Sequence, residues 1–463
     1  MKLKFLGGVG TVTGSKHIVE VDDKRLLLDF GLFQGHRQEA RKINSNIPFE
    51  LDSVESMILS HAHIDHSGNI PTLAKNDYKG TIYTTFATRD ICAVMLKDSA
   101  HIQEKDAEYV NKRHREKGLP LIEPLYTAED AVESMKLFVG YGYNRWFYAN
   151  DLIKAMFVDA GHILGSALTL LEIKDKDKIK RLAYVVDLGR RDLPILRDPQ
   201  QITNLDYLII ESTYGDRYHV DILQAKSMLA KVVNNTIGRG GKIIVPAFAL
   251  GRAQEIVYLI RKLRDEKRIP EFPVYVDSPL AVNVTEVFRL HPECFDEEAN
   301  KLFVNFEDPL GFDDLTYIRD VEKSKRLNED KTPSMIISAS GMCEAGRVLH
   351  HLKNNIEDPK NTIMIVGFMA QHTLGRRIAD GVSEIRIFDE TYRVNAEVVT
   401  MDVFSAHADR RELLDYVGGA RQRLKGIFLV HGEAQQAESL AQGIKELGIN
   451  EVFIPSINEE VTL

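Results

Sequence analysis

The ten residues from Leu59 to Gly68 constrain this chain more than any others: Leu-Ser-His61-Ala-His63-Ile-Asp65-His66-Ser-Gly. They follow the apolar run Met57-Ile58-Leu59, which reads as a short buried strand. His61 and His63 are two positions apart, so on an extended segment leaving a strand they project to one side. Asp65 and His66 come after a turn and face a different point. The motif therefore offers imidazoles to one divalent ion, and a carboxylate plus an imidazole to a second. Neutral imidazole and carboxylate donors suit zinc, with manganese or iron as competitors. One histidine near a strand end is ordinarily just packed or solvated. Four ligand-type residues in the six positions His61–His66 argue against that reading.

Length implies that the motif sits in only part of the molecule. A chain of 463 residues is too long for one compact core, and two or three domains are expected. No apolar run approaches the roughly 20 residues of a membrane span. The opening Met-Lys-Leu-Lys-Phe-Leu-Gly-Gly turns to glycine too early for a signal-peptide core. Cys92, Cys294 and Cys343 lie far apart and form no CxxC motif, so a reducing, cytoplasmic setting and no membrane partner are expected. The net charge of −9 argues against a long, uniformly basic nucleic-acid surface. Divalent ions in a carboxylate-rich site would reverse the sign locally.

Other polar residues close apolar strands in the same way. Asp29 ends Leu-Leu-Leu-Asp, and His162 follows the strand Ala155–Val158 in Asp159-Ala-Gly-His162. Asp187 follows Leu182–Val186, Glu211 follows Leu208–Ile210, and His431 follows Ile427–Val430. Between Glu211 and His407 the pattern becomes repetitive. Strands Lys242–Val245, Pro273–Val276, Met335–Ile337 and Thr362–Val366 each lead through a small-residue loop into a helix. That repeat predicts an open, mostly parallel α/β sheet. Ligands of such sheets bind at the strand C-termini, where helix N-termini favour anions. Ser340, Gly341, Arg252, Arg347 and Arg376 are therefore candidates for holding a nucleic-acid backbone, and plain helix capping explains each loop equally well. His372 is a candidate phosphate contact whose simpler role is to fill space.

His61-x-His63-x-Asp65-His66 after a strand resembles the signature of the metallo-β-lactamase superfamily. Gly10-Thr-Val-Thr-Gly-Ser15, Glu211-Ser-Thr-Tyr-Gly215, Ser405-Ala-His407-Ala-Asp409 and Val430-His431-Gly-Glu433 narrow the resemblance to the β-CASP nucleases. The pattern is similar to bacterial and archaeal relatives of the endonuclease subunit of the pre-mRNA cleavage and polyadenylation complex.

The resemblance implies an αββα sandwich with an inserted β-CASP domain. The first domain would span 1–207 and 396–463, and the insert 208–395. It implies two Zn2+ ions, with Mn2+ as the substitute. His61, His63, His162 and Asp187 would hold one ion; Asp65, His66, His431 and the shared Asp187 would hold the other. Asp29 would orient a ligand histidine. Asp65 would take part in the catalytic centre, His407 would be the general acid, and Glu211 would fix its orientation.

The implied reaction is hydrolysis of single-stranded RNA by a hydroxide activated between the ions, giving 3′-hydroxyl and 5′-phosphate ends. It would be mainly endonucleolytic, with 5′-to-3′ exonuclease activity as an added capacity. A homodimer is a further family expectation. The alternatives are a small-molecule hydrolase of the superfamily and a DNA-directed nuclease. Glu211, His407 and the large insert argue against the first, because a compact substrate needs none of them.

Overall fold

A computed structural model describes every residue except Phe368 and Gln371, and the side chains of all the rest except Leu223 and Asp402. The chain divides into two compact units. The first contains residues 1–191, 198–218 and 407–463; the second contains 192–197 and 219–406.

In the first unit, two seven-stranded sheets face each other. One runs in the order Glu460–Thr462, Lys2–Gly7, Lys16–Val21, Lys24–Leu28, Ser56–Ile58, Thr81–Thr85 and Phe138–Tyr141. Its first three pairings are antiparallel and its last three parallel. The other runs Val452–Phe453, Gly426–Val430, Tyr207–Glu211, Lys178–Val185, Ala167–Asp175, Ile153–Asp159 and Trp146–Asn150. Alternation along the strands fills the space between the sheets. Leu3, Phe5, Val19, Leu26 and Leu28 meet Phe157, Leu171, Leu182, Ile209 and Phe428 there. The opposite face of the second sheet is apolar too, and helices Arg410–Ala420 and Ala434–Glu446 cover it with Leu413, Val417, Leu440 and Ile444. Helix Phe86–Lys117 packs on the outer side of the first sheet. The result is the four-layer sandwich that the motifs imply.

The second unit holds a six-stranded sheet in which every pairing is parallel. Its order is Leu315–Ile318, Val274–Asp277, Met335–Ser338, Ile243–Pro246, Thr362–Ile365 and Glu397–Thr400. The four strand–loop–helix repeats read from the sequence all contribute to it, each followed by its helix: Arg252–Asp265, Pro279–Leu290, Arg347–Asn355 and Leu374–Ala379.

Against the expected boundaries at 207/208 and 395/396, the units change over at 218/219 and 406/407. Tyr207–Glu211 sits inside the second sheet of the first unit, paired with strands on both sides. Glu397–Thr400 does not begin the return, because it pairs with Thr362–Ile365 as the edge strand of the inserted sheet. Among the described residues, no helix is long and apolar enough to cross a membrane.

Candidate metal centre

The first unit gathers its polar strand ends at one place. In the first sheet the strand Ser56–Ile58 ends just before His61, and in the second Ile153–Asp159, Lys178–Val185 and Gly426–Val430 end just before His162, Asp187 and His431. Two glycines let the backbones close up: a Cβ on Gly31 would lie 1.6 Å from the Asp65 carbonyl oxygen, and one on Gly189 would lie 2.0 Å from that of Gly161. Asp29 and His431 take the left-handed conformation, at φ 57° and 49°, which turns both chains sharply at the site.

Four side chains form a compact donor set. His61 Nε2 is 3.1 Å from His63 Nδ1, and His162 Nε2 is 3.2 Å from the same atom. Asp187 Oδ2 lies 3.5 Å from both His61 Nε2 and His162 Nε2. A tetrahedron with zinc–ligand bonds of about 2.0–2.1 Å has edges of about 3.3–3.4 Å. These four separations are close to such edges, and all four donor atoms lie within 4.8 Å of one another, near enough to share one ion.

A second set adjoins it. His66 Nε2 is 3.1 Å from His431 Nε2, and Asp65 Oδ2 is 3.3 Å from His431 Nε2 and 3.8 Å from His66 Nε2. The same Asp187 Oδ2 is 3.6 Å from His66 Nε2, so one carboxylate oxygen faces both groups. Asp187 Oδ1 is buried without a hydrogen bond and stands 3.2 Å from His431 Nδ1, so both oxygens of this carboxylate face imidazoles of the site.

Protonation fits the same reading. Burial, together with the neighbouring imidazoles, holds His61 neutral, and burial lowers His63 to about 4. Metal ligands must be deprotonated in this way. Burial works against a charge on His66 too, yet the carboxylates of Asp187, Asp65 and Asp29 raise it to about 10. Those carboxylates would attract a cation at Nε2 as they attract that proton. The site thus fits divalent metal binding.

Behind the donors lies a hydrogen-bonded support. Asp29 Oδ2 is 2.7 Å from His66 Nδ1 and accepts bonds from Ser60 Oγ and the Tyr184 hydroxyl, each at 2.8 Å. Ser60 Oγ is also 3.0 Å from His61 Nδ1. One buried carboxylate therefore braces a histidine in each set, fixing which ring nitrogen points inward. Thr213 Oγ1 is 3.1 Å from His431 Nδ1. Sequence reasoning placed Asp29 but missed its partners. Ser60 and Thr213 stand inside the motifs and were within reach; Tyr184 lies in an apolar strand with no signal at all.

His407 sits beside the first set, its ring centroid 4.6 Å from that of His162. Its Nδ1 is 3.0 Å from Glu211 Oε2, and the other Glu211 oxygen accepts the Leu188 N–H at 2.6 Å. Burial disfavours a charge on His407, but Glu211 and Asp187 outweigh it and raise the ring to about 9. Burial likewise pushes Glu211 up, and the neighbouring His407 more than reverses that, leaving its carboxyl below the usual value.

Three family models match the chain in order. The metallo-beta-lactamase superfamily covers residues 12–155, the Beta-Casp domain 253–378, and the Zn-dependent metallo-hydrolase RNA specificity domain 391–455. The chain is 33% identical over 444 residues to ribonuclease TTHA0252 of Thermus thermophilus, spanning 96% of this chain and 95% of that one. The chain belongs to the β-CASP branch of the metallo-β-lactamase superfamily. Among other β-CASP relatives, transcription termination factor FttA of Methanocaldococcus jannaschii is 30% identical over 98% of this chain and 70% of its own length. FttA of Thermococcus kodakarensis is 32% identical over 97% and 69%. A solved structure of a protein of unknown function from Enterococcus faecalis shares the fold, with a TM-score of 0.54 at 14% identity over 100% of this chain and 99% of that one.

In the β-CASP unit, the loops carrying the other candidates converge. The Phe248 ring lies 2.9 Å from where a Cβ on Gly341 would be, and Leu374 N donates to Glu344 Oε1 at 2.7 Å. Ser340, next to Gly341, is half-buried, and His372 is exposed with φ 69°. The cations, however, have local partners. Arg252 pairs with Glu255 and lies over the Phe404 ring. Arg347 donates to Asp277 Oδ1 at 2.6 Å and to the Arg319 carbonyl. Arg376 pairs with Asp380 at 2.8 Å and is half exposed. Arg252 and Arg347 thus each have a carboxylate partner within the unit.

Proposed function

We propose that this protein is a metal-dependent ribonuclease that hydrolyses single-stranded RNA, mainly at internal bonds. The observation that carries the reading is a compact donor set of His61, His63, His162 and Asp187 with a carboxylate-backed histidine, His407, against it. The ribonuclease named among the relatives supports the same substrate. In this reading Asp65, His66 and His431 hold a second ion, and Asp187 is shared. Two Zn2+ ions, or Mn2+ in their place, would supply a water of lowered pKa and neutralise charge on the phosphate oxygens.

The chain's own groups do the rest. Glu211 accepts the Nδ1 proton of His407, which leaves Nε2–H to protonate the departing 3′-oxygen. Bond breaking there leaves a 3′-hydroxyl on one fragment and a 5′-phosphate on the other. Asp29 and Ser60 keep His66 and His61 aimed inward while charge builds up at the centre. A cytoplasmic setting and a homodimer belong to the same proposal. Buried cysteines far apart in the sequence support the first, and exposed Phe453, Ile454 and Ile457 support the second.

The test is to offer the zinc- or manganese-loaded protein a single-stranded RNA, the matching DNA, and a β-lactam or thioester. Cleavage of the RNA with little turnover of the others is expected. Hydrolysis of the small ester with both nucleic acids intact would contradict the reading.

A further inference from the structure

Two segments of the first unit leave the metal centre side by side, and the chemistry above uses only the first residue of each, Glu211 and His407. Past Glu211, the Tyr214 ring stands edge-on to the His407 ring, with centroids 5.9 Å apart at an angle of 64°. Past His407, the Arg410 backbone N–H donates to the Arg217 carbonyl at 3.0 Å, and the Arg410 guanidinium donates to the Gly215 carbonyl at 2.6 Å. These bonds hold residues 215–217 against the start of helix Arg410–Ala420. The His407 ring in turn lies 4.6 Å from that of His162, a member of the first donor set. The two segments are therefore tied to each other and, through His407, to the donors.

Farther along, both segments turn aromatic and basic side chains to solvent. Arg217 is half exposed, with its guanidinium 5.5 Å from the Tyr214 ring centroid and a bond to Asp216 at 3.0 Å. The next residue, Tyr218, is 60% exposed. Arg411 reaches it from the other segment, 5.7 Å from the Tyr218 centroid. Arg411 is itself exposed and has no ion-pair partner among the described residues. From His407 the contacts thus run to Tyr214 and Arg217, and from the adjoining Tyr218 to Arg411.

We propose that Tyr214, Arg217, Tyr218 and Arg411 form a ledge that holds the RNA strand on the 5′ side of the bond being cut. The polarity follows from His407. In an in-line displacement the leaving oxygen lies opposite the attacking one, and the leaving 3′-oxygen belongs to the fragment upstream of the cut. A surface that starts at the proton donor for that oxygen therefore meets the upstream fragment. Exposed Tyr218 offers a face on which any base stacks, and the Arg217 and Arg411 guanidiniums take the neighbouring phosphates. Tyr214 joins the ledge to His407 and is a positioning residue. The proposal rests on the ribonuclease reading and adds the direction of the strand at that site.

The test uses metal-loaded protein and one single-stranded RNA whose cut site has been mapped, whole, trimmed from its 5′ end to one nucleotide before the cut, and trimmed equally from its 3′ end. Each is read by KM or, where it is no longer cut, by its inhibition constant against the whole strand. Tyr218→Leu and Arg411→Gln should each raise KM for the whole strand by about five-fold or more, with kcat and melting temperature near wild type. Tyr218→Phe keeps the stacking face and should return KM to the wild-type value. Trimming the 5′ arm should abolish the difference between variant and wild type, and trimming the 3′ arm should preserve it. Wild-type KM in both variants, or a difference that survives 5′ trimming or vanishes on 3′ trimming, would overturn the ledge and leave the ribonuclease reading standing. RNA left intact by metal-loaded wild type would overturn both.

Discussion

Glu211 Oε2 stands 3.0 Å from His407 Nδ1 although the two are 196 positions apart, with residues 219–406 of the inserted unit between them. The carboxylate favours the charged form of the imidazole. Replacing His407 by Ala should lower kcat by about 10²–10⁴-fold. Metal content should stay at the wild-type value, as elemental analysis of the purified protein would check.

Glu211→Gln should move the pH profile. The carboxylate raises the His407 pKa, so its removal lowers it, and a general acid works only while protonated. The alkaline limb of kcat against pH should therefore shift to lower pH in this variant. An unshifted limb would separate Glu211 from the proton donor.

Asp29 braces both donor sets from behind. Asp29→Ala, or Ser60→Ala with a smaller effect, should weaken metal affinity by about 10–100-fold. Competition with a chromogenic chelator measures this, and a wild-type affinity would remove the bracing role. Tyr184→Phe deletes one of the hydrogen bonds to Asp29 and should act in the same direction, more weakly.

In the β-CASP unit, Asp277 accepts hydrogen bonds from Arg347 and Ser324 and faces His351 Nε2 at 2.6 Å. Burial pushes its carboxyl up, but these partners prevail and hold it below its usual value. A depressed folded pKa means stability that is full above the unfolded value and lost as pH falls through the folded one. Asp277→Asn should cost about 1.5–3 kcal/mol at neutral pH, and the difference from wild type should shrink in acid below the ordinary carboxylate range. Denaturant unfolding at several pH values would show it.

Chelation should destabilise the first unit, because a bound ion stabilises the folded state by mass action. A lower melting temperature in EDTA is expected, restored by added zinc and much reduced in His63→Ala. Equal melting temperatures with and without EDTA would count against metal binding at this set.

The donor set was legible in the sequence because each donor lies within a few residues of an apolar strand end, and the two facing sheets bring those ends to one place. His61, His63, His162, Asp187 and His431 all follow that rule. The four strand–loop–helix repeats were legible from their apolar strands too. Glu397–Thr400 was not, since four residues with mixed burial carry no signal of which sheet edge will pair with them. The partners of Arg252 and Arg347 were not either. Asp277 lies 70 residues from Arg347, and only the folded sheet brings it under that guanidinium. The bracing hydroxyl of Tyr184 is hidden in the apolar half of its strand, Leu182–Val185, where an aromatic ring reads as core.

If the centre cuts RNA internally with His407 protonating the 3′-oxygen, end-labelled RNA will reveal both the cut position and the proton donor. The most direct measurement compares cleavage of one single-stranded RNA, labelled at its 5′ end and in parallel at its 3′ end, by metal-loaded wild type and His407→Ala. Discrete internal products with 3′-hydroxyl and 5′-phosphate ends are expected, lost in the variant while its metal content persists. An RNA left intact by the fully metal-loaded wild-type protein, or cut equally well by His407→Ala, would contradict this mechanism.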